Sequence, residues 1–123
     1  MSAFQSQRTS ELRRYAGYSG IETFPGYCYF LLLPGEAVKV GYSNTEETLR
    51  RRIKDLTREL EKEYGPGSCE VLAIIKGGYA AEAVLHHRFR NSRIPGHGER
   101  FHLTDDILDF LATAHRVDLS LAA

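Results

Sequence analysis

Apolar positions along this chain change their period several times, and each change marks an element. Between Tyr27 and Leu33 every residue is aromatic, aliphatic or cysteine, up to a Pro34-Gly35 break; Val38 and Val40 then lead to Tyr42. Such runs around a Pro-Gly turn predict two strands joined as a hairpin. Farther along, Leu49, Ile53, Leu56 and Leu60 recur at helical intervals, and Gly65-Pro66-Gly67 closes that helix. Ser43 with Glu46, or Asn44 with Glu47, has the spacing of a capping box at its start. Residues 69–76 read as a buried strand through Val71, Leu72, Ile74 and Ile75, stopped by Gly77-Gly78. A second helix is expected from about Tyr79 to Arg90, packed through Ala81, Leu85 and Phe89. Residues 99–103 form a short extended segment at most. A third helix follows, with Thr104 as its cap and Asp105 and Asp106 in the first turn, where the helix dipole favours them. Ile107, Leu108, Leu111 and Ala114 give its apolar face.

This order predicts an α+β domain, a small three-stranded antiparallel sheet flanked by helices (β-β-α-β-α-α). The domain is expected over residues 26–115. Residues 1–25 form an N-terminal arm, with a short helix over 10–15, and 116–123 a C-terminal tail. The hairpin carries a sharp condition. Side chains alternate along a strand, so Tyr29 and Lys39 share a face only if the loop has an odd number of residues. A three-residue loop, Pro34-Gly35-Glu36, brings them together; a two-residue Pro34-Gly35 loop sets them on opposite faces.

Composition adds mainly exclusions. At 123 residues and 42% apolar content the chain can bury a core without a disulfide or structural metal. Cys28 and Cys69 are too few for a disulfide framework and lack zinc-ribbon spacing. No apolar run approaches the 18 residues of a membrane span. The first residues carry Arg8, Arg13 and Arg14 but no apolar stretch of a secretory signal. A reduced cytoplasmic setting, away from membranes, is expected.

Charge is more telling by segment than in total. Sixteen basic and sixteen acidic residues cancel. Residues 46–63 hold six of each, as an exposed helix does. Residues 76–103 hold Lys76, Arg88, Arg90, Arg93 and Arg100 against Glu82 and Glu99, and from residue 104 the sign reverses. A neutral chain can therefore present a local basic face, although solvated surface charge accounts for the same residues.

Some polar residues stand where helices should be apolar. Arg52 lies three residues after Leu49 and four before Leu56, at the border of the stripe. It is either a snorkelling arginine with its stem on the core or a guanidinium held for use. Glu82 and His86 form an i, i+4 row beside Ala81, Leu85 and Phe89. A carboxylate there needs a partner: an arginine, the histidine, a backbone donor or a metal ion. Tyr27 and Tyr29 on a strand are ordinarily packing residues. Converging on one concave surface, a tyrosine, lysine, arginine and glutamate can bind phosphate, hold a divalent cation and activate water.

The ordered set resembles the GIY-YIG nuclease superfamily. Gly26-Tyr27-Cys28-Tyr29-Phe30 followed by Val38-Lys39-Val40-Gly41-Tyr42-Ser43 is similar to its paired strands. Arg52-Ile53-Lys54-Asp55-Leu56 matches the helix of the family arginine, and Glu82, Leu85, His86 and Phe89 the glutamate helix. Arg93 with Gly98-Glu99-Arg100-Phe101 resembles a feature of a compact phage and microbial branch related to the meiotically up-regulated gene family. The similarity covers about residues 26–112. It departs from the pattern where Lys39 replaces a tyrosine, Leu56 a histidine and Arg100 a tryptophan.

The resemblance implies a metal-dependent endonuclease that hydrolyses phosphodiester bonds in DNA, in some relatives only in single strands. Glu82 would bind one Mg²⁺ or Mn²⁺, a hard cation suited to carboxylate oxygen. Tyr29 would orient or deprotonate the attacking water, helped by Lys39, since an unperturbed tyrosine is a poor base at neutral pH. Arg52 would stabilise the charge of the five-coordinate phosphorus, and His86 would contact phosphate or serve as an alternative base. Nucleic acid, DNA before RNA, is the expected partner, with Tyr27, Arg88, Arg93 and Arg100 as contacts. Two other classes compete. One is a nucleic-acid-binding module of the same fold with weak or no turnover. The other is a protein-interaction domain, for which exposed Tyr15, Tyr18 and Tyr79 are the hints.

Overall fold

A computed structural model describes residues 24–96 and 99–119; the arm expected over 1–25, including the helix over 10–15, lies almost wholly outside them. Strand β1 (Tyr27–Leu33) and strand β2 (Ala37–Ser43) form the predicted hairpin. Leu33 faces Ala37 across the ladder, so the loop is the three-residue Pro34-Gly35-Glu36, with Gly35 and Glu36 both at positive φ, 80° and 56°. Helix α1 (Glu46–Tyr64), strand β3 (Glu70–Lys76) and helix α2 (Tyr79–Arg88) follow, then a 3-10 turn, strand β4 (Arg100–His102) and helix α3 (Asp105–Thr113).

The expectation of three strands is corrected to four. The sheet is antiparallel in the order β3-β1-β2-β4. Arg100-Phe101-His102 pairs with Lys39, Val38 and Ala37, and Phe101 is fully buried. Three residues are too short to show a period, which is why this strand could be expected only as an extended segment. The first helix is capped by neither Ser43 nor Asn44. Ser43 is buried at the end of β2 opposite Tyr27, and Thr45 takes the cap, in a reciprocal box with Thr48. Helix α2 ends at Arg88, and residues 90–92 tighten into the 3-10 turn. Thr104 occupies the cap position of α3, but its side chain makes no capping hydrogen bond. On α3 itself Leu108 is exposed, and the partly buried Phe110 joins Ile107 and Leu111 against the core.

Alternation sorts the core into two clusters. Tyr29, Leu31, Leu33, Ala37 and Ile74 pack with Leu49, Ile53 and Leu60 of α1. On the other face Cys28, Phe30, Val38, Val40, Ala73 and Ile75 pack with α2, Phe89, Phe101 and α3. Arg116 bridges to Ile75, and the Val117 N–H donates to the Ile74 carbonyl at 2.7 Å. The start of the expected tail thus lies along β3.

Three hydrogen bonds, two of them between backbone groups, aim α2. The Gly77 and Gly78 N–H groups donate to the Gly26 and Pro25 carbonyls, at 2.8 and 2.7 Å, and the Cys28 thiol donates to the Gly78 carbonyl at 3.4 Å. A Cβ on Gly26 would fall 2.9 Å from the Gly78 Cα, so the two chains cross where neither has room for a side chain. The crossing fixes the start of α2, and Glu82 stands one turn further on, its N–H bonded to the Gly78 carbonyl.

Candidate functional site

The hairpin register meets the odd-loop condition. Tyr29 faces Gly41 and Leu31 faces Lys39, so Tyr29 and Lys39 stand on the same face of the sheet. Tyr29 is fully buried, and its hydroxyl lies over Gly41, where any Cβ would overlap it. A glycine inside a strand often marks such a close approach. Across from it, on the border of the α1 stripe, Arg52 donates from Nε to the Tyr29 hydroxyl at 2.8 Å.

That contact assigns the guanidinium. Arg52 is neither a bare snorkelling side chain nor part of an ion pair; it holds the tyrosine and lines a groove of about 680 Å³ beside α1. Burial raises the Tyr29 pKa above the usual tyrosine value, and Arg52, by hydrogen bond and charge, offsets part of the rise. The phenol is therefore neutral near pH 7. With its oxygen accepting from Arg52, it keeps its own proton for a further acceptor or for water.

Lys39 is engaged elsewhere. Its Nζ is 2.7 Å from Glu99 Oε2, in a pair that is mostly shielded on the lysine side. The cation at Tyr29 is thus Arg52, and the partner of Lys39 is an acid to which no role had been given. Glu99 is placed by backbone: its carbonyl accepts from the Val40 N–H at 2.9 Å, just before the start of β4. The Val40 carbonyl, on the same edge, accepts from His86 Nε2 at 3.0 Å. Side chains from α2 therefore reach the open edge of β2 where its pairing with β4 stops.

Glu82 lies there, one turn before His86, with 9% of its surface exposed. Oε2 is buried with no hydrogen-bond partner, and Oε1 stands 3.9 Å from His86 Nε2. Desolvation, and secondarily the charge of Glu99, pushes its pKa up to about 7, against the pull of Arg52 and Lys39. His86 is shifted the other way. Burial lowers its pKa, and with Nε2 donating to Val40 the ring is a neutral imidazole. None of the three partners weighed for Glu82 within the protein satisfies Oε2. A carboxylate oxygen that is buried, orphaned and close to neutrality is what a hard divalent cation would complete. Among the described residues no group of three or more His, Cys, Asp or Glu side chains is placed to hold a metal by itself.

The structure thus brings Tyr29, Lys39, Arg52, Glu82 and His86 together and adds Glu99 and Gly41. Of the four residues expected to contact nucleic acid, Arg93 and Arg100 lie beside His86 and Lys39 of the site, and Arg88 lies away from it. Arg88 bonds Asp106 at 3.2 Å and lies over the Phe89 and Phe110 rings, on the α3 side. Tyr27 lies under Lys76 at the start of β1. Arg100 faces Lys39 across the ladder, and Arg93 is exposed, close enough to lower the pKa of His86. A signal for Gly41 existed in its strand context. Glu99 stands in the quoted Gly98-Glu99-Arg100-Phe101 feature, but its pairing with Lys39 had no signal, because it is set by the approach of a distant loop.

Among the described residues no helix is long and apolar enough to cross a membrane. No family model, no curated protein and no solved structure matches this chain.

Proposed function

We propose that this chain is a divalent-metal-dependent endonuclease of GIY-YIG type, hydrolysing phosphodiester bonds in DNA. The observation that carries the reading is the meeting of four elements at one place: Tyr29 of β1 bonded to Arg52 of α1, Lys39 of β2, and the orphaned carboxylate of Glu82 on α2. A Mg²⁺ or Mn²⁺ ion on Glu82 would neutralise the phosphate and the leaving 3′-oxygen. Arg52 spends Nε on the tyrosine and keeps its terminal N–H groups for a phosphate oxygen in the groove it lines. Tyr29, neutral and buried, orients the attacking water through its hydroxyl rather than deprotonating it. His86 holds the β2 edge through Val40 and keeps the Nδ1 lone pair to accept from a water.

Purified protein, Glu82→Gln and Arg52→Ala are incubated with single- and double-stranded DNA in the presence of Mn²⁺ or Mg²⁺. Cleavage that depends on the metal and falls at least about a hundredfold in each variant is expected. Equal cleavage by Glu82→Gln overturns the assignment.

A second reading, a nucleic-acid-binding module with weak turnover, is favoured by one observation. Lys39, which replaces a family tyrosine, is tied to Glu99 rather than to the Tyr29 hydroxyl. It predicts binding that weakens steeply with salt and no cleavage under any metal.

A further inference from the structure

Glu99 is the acid that the nuclease reading leaves without a task. It lines the groove together with Arg52, whose terminal N–H groups are kept there for a phosphate oxygen. Its carboxylate is held in place. Lys39 Nζ bonds Oε2 at 2.7 Å, the Glu99 carbonyl accepts from the Val40 N–H, and the next residue, Arg100, pairs with Lys39 across the ladder. Among the described residues nothing else bonds this carboxylate, and with 35% of the side chain exposed Oε1 can accept from a water. The charge of Glu99 acts on Tyr29, Arg52, Glu82 and His86 alike, so it stands close to every group of the site.

We infer that Glu99, held by Lys39, is the general base of the site and takes the proton of the water that attacks phosphorus. The water oxygen bonds to phosphorus as its proton passes to Oε1. The bond from phosphorus to the 3′-oxygen breaks, and that oxygen leaves with the electron pair and takes a proton from solvent. The other groups at hand fit this task less well. Tyr29 is fully buried and neutral, with its oxygen taken by Arg52. His86 does not line the groove, and burial lowers its affinity for a proton. Asp55 and Glu59 do line it, but they are exposed on α1 and, among the described residues, bonded to no cation. The ion pair also gives a lysine at position 39 something to do. At rest the pair is neutral and admits a phosphate. Once Glu99 takes the proton, the Lys39 ammonium loses its counter-charge just as negative charge gathers on phosphorus, so its field acts most strongly in the transition state.

The inference rests on the nuclease reading and deepens it by assigning the proton transfer, and one set of measurements separates the two. Single-turnover cleavage of DNA with Mn²⁺ is measured per folded molecule, and binding of the same DNA is measured in EDTA. Glu99→Gln still accepts from Lys39 but takes no proton, so cleavage should fall about a hundredfold or more while DNA is bound at least as tightly. Glu99→Ala should fall as far and regain about tenfold in sodium formate, whose carboxylate fits the emptied place. Sodium chloride at the same concentration should restore nothing, and Arg52→Ala should gain nothing from formate. Glu99→Gln cutting at the parent's rate overturns the inference, because Glu99 then serves only to anchor Lys39. Formate that leaves Glu99→Ala unimproved overturns it too. A parent that cuts nothing under any metal removes the nuclease reading and the inference together. Metal-dependent cleavage that needs Glu82 but not Glu99 removes the inference alone.

Discussion

On the side of the sheet covered by α2 and α3, rings meet rings: Phe30 with Phe110, Phe89 with Phe101, and Phe89 with Phe110, at centroid distances of 5.9 to 6.3 Å. On the side covered by α1, aliphatic packing by Leu31, Leu33, Leu49, Ile53 and Leu60 gives way to the Tyr29 hydroxyl, Lys39 and a groove. Both faces come from alternate residues of the same strands. One is closed by two helices and Phe101, the other by a single helix. Cover is complete at the centre of that face, which serves stability, and polar groups enter only at its rim, where Glu82 and His86 of α2 reach the open edge of β2. Partial cover leaves a strip where a guanidinium and an ammonium group are held by packing yet remain reachable, above a phenol that is itself buried.

The comparison breaks most readily at the ring face. Phe30→Ala should cost about 3–5 kcal/mol in urea unfolding, through lost burial and a cavity. Activity per folded molecule should persist, and a loss of activity larger than the loss of folded protein would show that the faces are not separable. Gly41→Ala, on the other face, should cost about 1–3 kcal/mol from overpacking. There the larger effect should be on cleavage, because the new methyl displaces the Tyr29 hydroxyl from Arg52. Full cleavage in Gly41→Ala would mean that this contact is dispensable.

Glu82 sharpens the contrast through pH. Its folded-state pKa is raised from 4.5 to about 7, so the folded protein holds the proton more tightly than the unfolded chain. The associated stability is fully present below about pH 4.5 and is lost as pH rises through 7. Relative to Glu82→Gln, the native protein should therefore lose stability across that window and run parallel above it. Mn²⁺ binding, which competes with the same proton, should tighten about tenfold per pH unit below 7 and level off above. Parallel stability curves throughout would remove the buried carboxyl from the account. The smallest effect belongs to the α3 side. A double-mutant cycle on Arg88 and Asp106 should return about 0.2–1 kcal/mol, with cleavage unaltered.

Much of the fold was legible because its signals are local. The hairpin follows from two apolar runs about Pro34-Gly35, and α1 from a leucine and isoleucine stripe. The loop length was not. Ala37 can end a turn or begin a strand, and only pairing with Leu33 decides it. Likewise Ser43, Asn44 and Thr45 are all good caps; burial of Ser43 in β2 removed one and gave the helix a later start. In the site, Arg52 and Glu82 announced themselves as polar groups on apolar borders. Lys39 was legible in position but not in partnership, since Glu99 reaches it across sixty residues of chain.

The close seat of Tyr29 over Gly41 has a consequence for how the sequence can change. The ring occupies the volume a side chain at 41 would need, so the glycine is constrained for as long as the tyrosine is present. Gly41→Ala should be damaging on the native background and nearly silent in stability once Tyr29→Ser has emptied the space, a coupling a double-mutant cycle reads directly. If the cost of Gly41→Ala is the same in both backgrounds, the ring does not impose the constraint. In a lineage of such chains, the glycine would be kept as long as the tyrosine is, and released with it.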